Sequence, residues 1–412
     1  MPTLPRPLRL LAGATLPDGS TVDITLDGET VAAVTPAGPA PEPADDALDL
    51  TGHLLVAAPA DPHAHLDKAL SWDAIRPPLG DLGLAIAAWR TFAETLTVDE
   101  VAERAARAAL AMLANGTTAI RTHVDIHLGD APLRSTEALL RVREQLAGLM
   151  DIEIVALAGP EVPDASIEAA LDAGVDLVGG APHLAGDLSA QSADLRRLLA
   201  IAERRGVGVD LHADESLVHG DTLLEFARLT RGWSQNRSAG HCVRLGTLDA
   251  ATRDLVIAEV RASDIGIIAN PITNLYLQGW NDEVAMPRGL APVRALLDAG
   301  IRTAAGADNV RDPFNPLGRS DALETAMLLV VAGHLTIDEA YAAVADGARA
   351  VLALPPAGPV VGAKAELLAI RATSLADAVA NAPADRYVIH AGRLVAASST
   401  TRAIASPGTG IR

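Results

Sequence analysis

Polar side chains with ligand chemistry interrupt this chain at four places where it is otherwise apolar. Asp61-Pro62-His63-Ala64-His65-Leu66-Asp67-Lys68 carries two imidazoles two residues apart. On an extended chain such residues point to the same side, so both rings can face one position. His212 ends the run 207–211 and opens His212-Ala213-Asp214-Glu215; His241 follows Ser238-Ala239-Gly240; Asp308 follows Gly306-Ala307. Neutral imidazoles and a carboxylate are ordinary ligands for Zn²⁺ or Fe²⁺, and an open position leaves room for water. Each residue alone has a plainer reading. A lone His-x-His arises by chance, a histidine at a strand end is commonly structural, and an aspartate before a loop is commonly a cap or turn residue. Taken together, all of them stand at strand ends, which favours one shared site.

The elements that must position these groups alternate. Short Val/Ile/Leu/Ala runs occupy residues 54–60, 117–123, 152–158, 175–178, 207–212, 238–241, 265–269 and 303–307. Helical periodicity fills 98–114, 135–147, 167–173, 195–205, 222–229, 247–261 and 293–299, with Gly116, Gly174, Gly206 and Gly300 as C-terminal stops. Near-continuous apolar strands alternating with helices predict a parallel sheet buried on both faces, and eight such units predict a (β/α)8 barrel. No Gly-rich phosphate turn follows the first run, which disfavours a doubly wound open sheet. In a barrel the reactive face lies at the C-terminal ends of the strands, where these histidines and acids fall. Both termini read as β-rich: 8–11, 21–26 and 30–34 with a hairpin signal at Asp27-Gly28, then 365–371 and 387–396 with a turn at Ala391-Gly392. The expected organisation is a composite β domain from 1–53 and 360–397, a barrel over 54–359, and a flexible tail at 398–412. Residues 70–96 form a long connection that is read either as a lid or as a packed helix.

Composition narrows the function. The 412 residues are 49% hydrophobic and 21% charged, so the chain can bury a large core. Aromatics are 2%, which leaves that core to Ala, Leu, Val and Ile. A net charge of −19 without a basic block is poorly suited to phosphate backbones or anionic lipid. Cys242 is the single cysteine, which excludes an intrachain disulfide, zinc-finger ligation and iron–sulfur ligation. The first twenty residues lack a signal-peptide apolar core, and apolar runs such as 326–333 fall short of the ~20 residues a membrane span needs. The expectation is a cytoplasmic protein acting on a small molecule, with neither nucleic acid nor membrane as partner.

On these motifs the chain resembles the amidohydrolase superfamily, within it the cytosine deaminase-like branch. The resemblance rests on Pro62-His63-Ala64-His65-Leu66-Asp67-Lys68, Arg121-Thr122-His123-Val124-Asp125, Gly180-Ala181-Pro182-His183, Leu211-His212-Ala213-Asp214-Glu215 and Gly240-His241-Cys242. It extends through Asn270-Pro271-Ile272-Thr273-Asn274-Leu275-Tyr276-Leu277-Gln278-Gly279 to a last stretch from Gly306-Ala307-Asp308-Asn309 through Phe314-Asn315-Pro316-Leu317-Gly318. It implies a distorted (β/α)8 barrel with a small β-sandwich-like domain formed from both termini. It also implies His63, His65, His212 and Asp308 as metal ligands, Glu215 as proton shuttle, Asp308 as acceptor of the water's proton, and His241 as hydrogen-bond partner of the reacting oxygen. Binuclear relatives bridge two metals with a lysine at the end of strand four. Here no lysine lies between Lys68 and Lys364, so one divalent ion, Zn²⁺ or Fe²⁺, is expected.

The implied reaction is loss of an exocyclic amino or alkylamino group from a neutral nitrogen heterocycle. Ring opening of a cyclic amide or imide is the alternative, and a non-catalytic binding protein on the same scaffold comes behind it. Cytosine itself is disfavoured, because Gly159 stands where a glutamine reads the pyrimidine amide edge. Glu161, Gln278, Asn309 and Phe314 are the other candidate substrate contacts. The resemblance also allows a homo-oligomer. Glu215 has an alternative reading as an acid at a helix N-terminus, and Asp214 reads as structural. His123 and His183 read as supporting hydrogen-bonders, and Asp67 with Lys68 as either a structural pair or a substrate contact. His53, His127, His219, His334 and His390 carry no motif and are expected on surfaces or loops.

Overall fold

The computed structural model describes residues 4–39, 44–80, 82–218, 220–401 and 403. Eight parallel strands follow one another around a barrel: β1 (Ala60–Ala64), β2 (Ala119–Asp125), β3 (Asp151–Ala158), β4 (Leu177–Gly180), β5 (Gly208–Ala213), β6 (Arg237–His241), β7 (Gly266–Ala269) and β8 (Thr303–Ala305). Just beyond β8, the backbone N–H of Asp308 donates to the carbonyl of His63 at 2.8 Å, and Ala64 bridges Asp308. The eighth unit is thereby tied to the first, giving the distorted (β/α)8 barrel expected from the strand–helix alternation.

The period-two pattern of each strand decides what enters the barrel. In β5, Val209 and Leu211 join the apolar layer shared with Leu195 and Leu198 of the helix Leu188–Arg205. Asp210 and His212 alternate with them and turn inward. In β2, Ile120 and Val124 take the helix side, leaving Arg121, His123 and Asp125 to the interior. The interior is therefore partly ionic. Fully buried Arg121 donates to Asp210 (2.8 Å), Ser238 (2.8 Å) and Glu153 (2.5 Å). Two carboxylates thus offset the charge of the buried guanidinium through Nε and Nη1, while Nη2 has no hydrogen-bond partner.

The second sheet takes strands from both ends of the chain. Its order is Arg6–Pro7, Arg393–Ser398, Arg386–His390, Leu367–Ile370, Leu54–Ala57, Leu10–Thr15, Thr21–Asp27, Thr30–Pro36, with Ala47–Asp49 beside Leu10–Thr15. Leu11, Ile24, Leu50, Leu55, Leu367 and Ile389 pack its core. The turn at Gly28 falls where Asp27-Gly28 predicted it, with φ of +57° at the glycine.

Two expectations are corrected here. The apolar run 54–60 is not one strand: Leu54–Ala57 pairs antiparallel with Leu367–Ile370 in the terminal sheet, and the barrel strand starts anew at Ala60 after Pro59. Proline offers no N–H to a ladder, so the break falls where sheet pairing is interrupted. His53 and His390 are buried rather than superficial. His53 packs on Tyr387 with ring centroids 5.2 Å apart, and Nδ1 of His390 lies 2.9 Å from Oε2 of Glu366. His219 and most of the tail (402 and 404–412) lie outside the described residues.

Between β1 and β2, Leu82–Ala93 forms helix α1 and Val98–Ala114 forms helix α2. Thr97 caps α2 by accepting the Glu100 N–H. Ala85, Trp89 and Ala93 are the buried face of α1, so the long connection is a packed helix roofing the barrel mouth. Among the described residues, no helix is long and apolar enough to cross a membrane.

Candidate active site

His63, His65, His212 and Asp308 converge at the C-terminal end of the barrel. His63 belongs to β1 itself and His65 follows it; His212 is in β5, and Asp308 follows β8. Nε2 of His65 lies 3.1 Å from Nε2 of His212 and 3.2 Å from Oδ1 of Asp308, which is 3.7 Å from Nε2 of His63. All four side chains are buried. Neither ring nitrogen of His63 and neither oxygen of Asp308 has a hydrogen-bond partner. Buried lone pairs crowded together without donors are costly, and a cation shared among them removes that cost. The donor set fits a divalent ion held by nitrogen and oxygen.

Electrostatics agree with ligand-ready histidines. Burial first, then the neighbouring imidazoles, hold His63 and His212 well below the ordinary histidine value; for His65 the neighbour is the Lys68 ammonium. Neutral imidazole is the form that binds a metal. The backbone is bent to fit. Asp308 and His241 have φ of +57° and +69°, a region few side chains other than glycine occupy. Such conformations gather at functional sites, where surrounding structure enforces them.

Glu215 and His241 stand beside this cluster. His241 Nδ1 is 3.6 Å from Oε1 of Glu215 and 3.8 Å from Oδ2 of Asp308. Burial raises the Glu215 carboxyl to about 7, against the lowering pull of His183. Glu215 lies in the connection after β5 rather than at a helix start, since the next helix begins at Thr222. Asp214 is structural, as expected: its carboxylate accepts the N–H groups of Thr222 and Leu223 at the start of that helix. His183 lies 3.1 Å by its Nδ1 from the carbonyl of His212.

A cavity of about 550 Å³ opens over these groups. Gly159, Glu161, Asn309 and Phe314, the candidate substrate contacts, line it. Gln278 is not among the lining residues and instead donates to the backbone carbonyl of Glu215 at 2.7 Å. His127, expected on a loop without a role, lines the cavity and lies 2.7 Å from Ser135 Oγ.

Several contributors lie within the motifs but were given no role from the sequence. Asn274 and Asn270 place their amides 3.0 and 3.5 Å from the two ring nitrogens of His241. Asp125 accepts from Lys68 Nζ (2.7 Å) and from Trp89 Nε1 of the roof helix (2.7 Å), and Lys68 Nζ lies 3.4 Å from His65 Nδ1. Pro271-Ile272-Thr273-Asn274 was the available signal for the asparagines; nothing local pointed to the Asp125 link.

The model of the amidohydrolase family matches residues 83–396. The chain belongs to the amidohydrolase family. Pterin deaminase of Rhizobium rhizogenes is 30% identical over 90% of this chain and 87% of its own length. Among solved structures, 5-methylcytosine deaminase of Klebsiella pneumoniae, liganded with 5-fluorocytosine, superposes with a TM-score of 0.86 at 27% identity. That match covers 96% of this chain and 99% of the relative. N-isopropylammelide isopropylaminohydrolase of Burkholderia multivorans matches with a TM-score of 0.79 at 29% identity, covering 94% and 98%. This amidohydrolase is accordingly a hydrolase of carbon–nitrogen bonds, from a metal-dependent family, and carries a metal-competent His/Asp cluster at its barrel mouth.

Proposed function

We propose that this amidohydrolase removes an exocyclic amine from a neutral nitrogen heterocycle, using one divalent ion, Zn²⁺ or Fe²⁺, and a water molecule. One observation carries the reading: Glu215 and His241 flank the His63–His65–His212–Asp308 cluster at the floor of the cavity. The cavity leaves room for a two-ring substrate of the pterin kind, which the pterin deaminase relative supports.

His63, His65, His212 and Asp308 would hold the ion, which when bound lowers the pKa of water towards neutrality. Asp308 takes the proton that the attacking water gives up. Glu215, poised by burial near neutrality, gives its proton to the ring nitrogen; the proton held by Asp308 passes to the departing amine, and the hydroxyl that collapses to the carbonyl returns a proton to Glu215. His241, set by Asn274 and Asn270, hydrogen-bonds the oxygen as charge develops on it. Gln278 acts on the shuttle indirectly by holding the Glu215 carbonyl. The roof helix excludes bulk water from the floor.

Ammonia release by zinc- and iron-loaded protein from pterin, 5-methylcytosine and N-isopropylammelide tests the reading, with isopropylamine followed for the last. Release from at least one is expected. Glu215→Gln should keep the metal and lose about 10²–10⁴-fold in kcat. Ring-opened product without free amine would overturn the reaction type.

A further inference from the structure

Asn309 follows Asp308 and lines the cavity. An asparagine amide can offer either an acceptor or a donor to a ligand, and here the residues behind it decide which. Phe314 donates its backbone N–H to Oδ1 of Asp312 at 2.9 Å, and Nδ2 of Asn309 donates to Oδ2 of the same carboxylate at 2.7 Å. Both oxygens of the fully buried Asp312 already receive an N–H, so with that carboxyl ionised, flipping the Asn309 amide would press two oxygens together. Asn315 Nδ2 donates to the Asn309 carbonyl at 2.9 Å, and the Asn309 backbone N–H points to Thr273 Oγ1 at 3.3 Å. Oδ1 of Asn309 is left without a donor among the described residues.

We propose that Asp312 is a positioning residue that fixes Oδ1 of Asn309 as an acceptor on the cavity wall, so that the site selects heterocycles presenting a ring N–H there. The inference rests on the deaminase reading for its substrate class and on the hydrogen-bond chain for its residues. The anchor is the Phe314 N–H, which cannot reverse. In Asp312→Asn, the new amide keeps its oxygen on Phe314 and turns its nitrogen to Asn309, which must then flip and show Nδ2 to the cavity. In the double variant Asn309→Asp/Asp312→Asn, the new carboxylate accepts from the new amide and again turns an oxygen to the cavity.

The test compares kcat/KM for pterin and for 3-methylpterin, which lacks the ring N–H, on zinc-loaded protein. The preference for pterin should fall at least about tenfold in Asp312→Asn, chiefly through KM, with zinc content unchanged. It should return to within about threefold of the native ratio in the double variant. An unchanged preference in the single variant, or no recovery in a folded double variant, overturns the proposal. Should Asp312→Asn fail to fold by circular dichroism, Asn309→Ala replaces it and must show the same loss, and the double variant still tests Asp312. If native protein releases ammonia from neither compound, pterin is not its substrate, and the deaminase reading is decided separately by 5-methylcytosine and N-isopropylammelide. Calorimetric binding of the two pterins to native and variant protein then decides the role of Asp312, and absence of binding by both overturns the proposal.

Discussion

A methyl group at position 240 would lie 2.6 Å from Cε1 and 2.7 Å from Nδ1 of His63. The glycine in Gly240-His241 is thus a matter of room for a neighbouring ring rather than of a left-handed backbone. Because the fully buried His63 ring is packed among His123, His212 and His241 and has little room to retreat, Gly240→Ala should displace the imidazole while leaving the fold intact. We expect zinc affinity, measured by competition with a chelator, to fall about 10–100-fold, the cost typical of disturbing a ligand's surroundings. Near-native affinity would show that the ring accommodates the methyl. At this scale the sequence was most informative where polar residue types broke apolar runs, as at His212 and Asp308. It was least informative where partners are far apart along the chain: Asp125 meets Lys68 across 57 positions and Trp89 across 36. No window contains both members of such a pair.

Elements show the same division. The helix Val98–Ala114 follows its predicted limits because a Thr97 cap and a dense apolar periodicity agree locally. The run 54–60 misleads because a continuous apolar stretch does not tell which of two sheets will claim each half; pairing with Leu367–Ile370 decides that. His390, on the strand Arg386–His390, was unremarkable by type yet is buried against Glu366. Burial works to lower its pKa, but the Glu366 carboxylate outweighs burial and leaves the imidazole raised. The pair's contribution is fully present below the ordinary histidine value of about 6.5 and fades as pH rises through the raised folded value. His390→Gln should therefore cost about 1.5–3 kcal/mol at pH 6, as for a hydrogen bond to a charged group, and clearly less at pH 9. Urea unfolding at the two pH values measures this; an equal loss at both would refute the charged pair.

For the whole molecule, the question is what joins the terminal sheet to the barrel. Fully buried Arg386 of that sheet makes a two-armed contact with Asp321, which caps the barrel helix Ala322–Gly333 (3.1 and 2.7 Å), and also donates to the Asn115 carbonyl at 2.6 Å. Removing one partner of such a pair strands the other charge, so Arg386→Met should destabilise by about 3–5 kcal/mol in urea unfolding. A change below 1 kcal/mol would mean the two sheets hold together without it. The strand Leu54–Ala57 leads within a few residues to His63, and it is pinned by Leu367–Ile370 from the far end of the chain. A polypeptide emerging from the ribosome therefore cannot brace the approach to His63 until Leu367–Ile370 has been made, so the cluster gains this support from a strand synthesised after all four of its members.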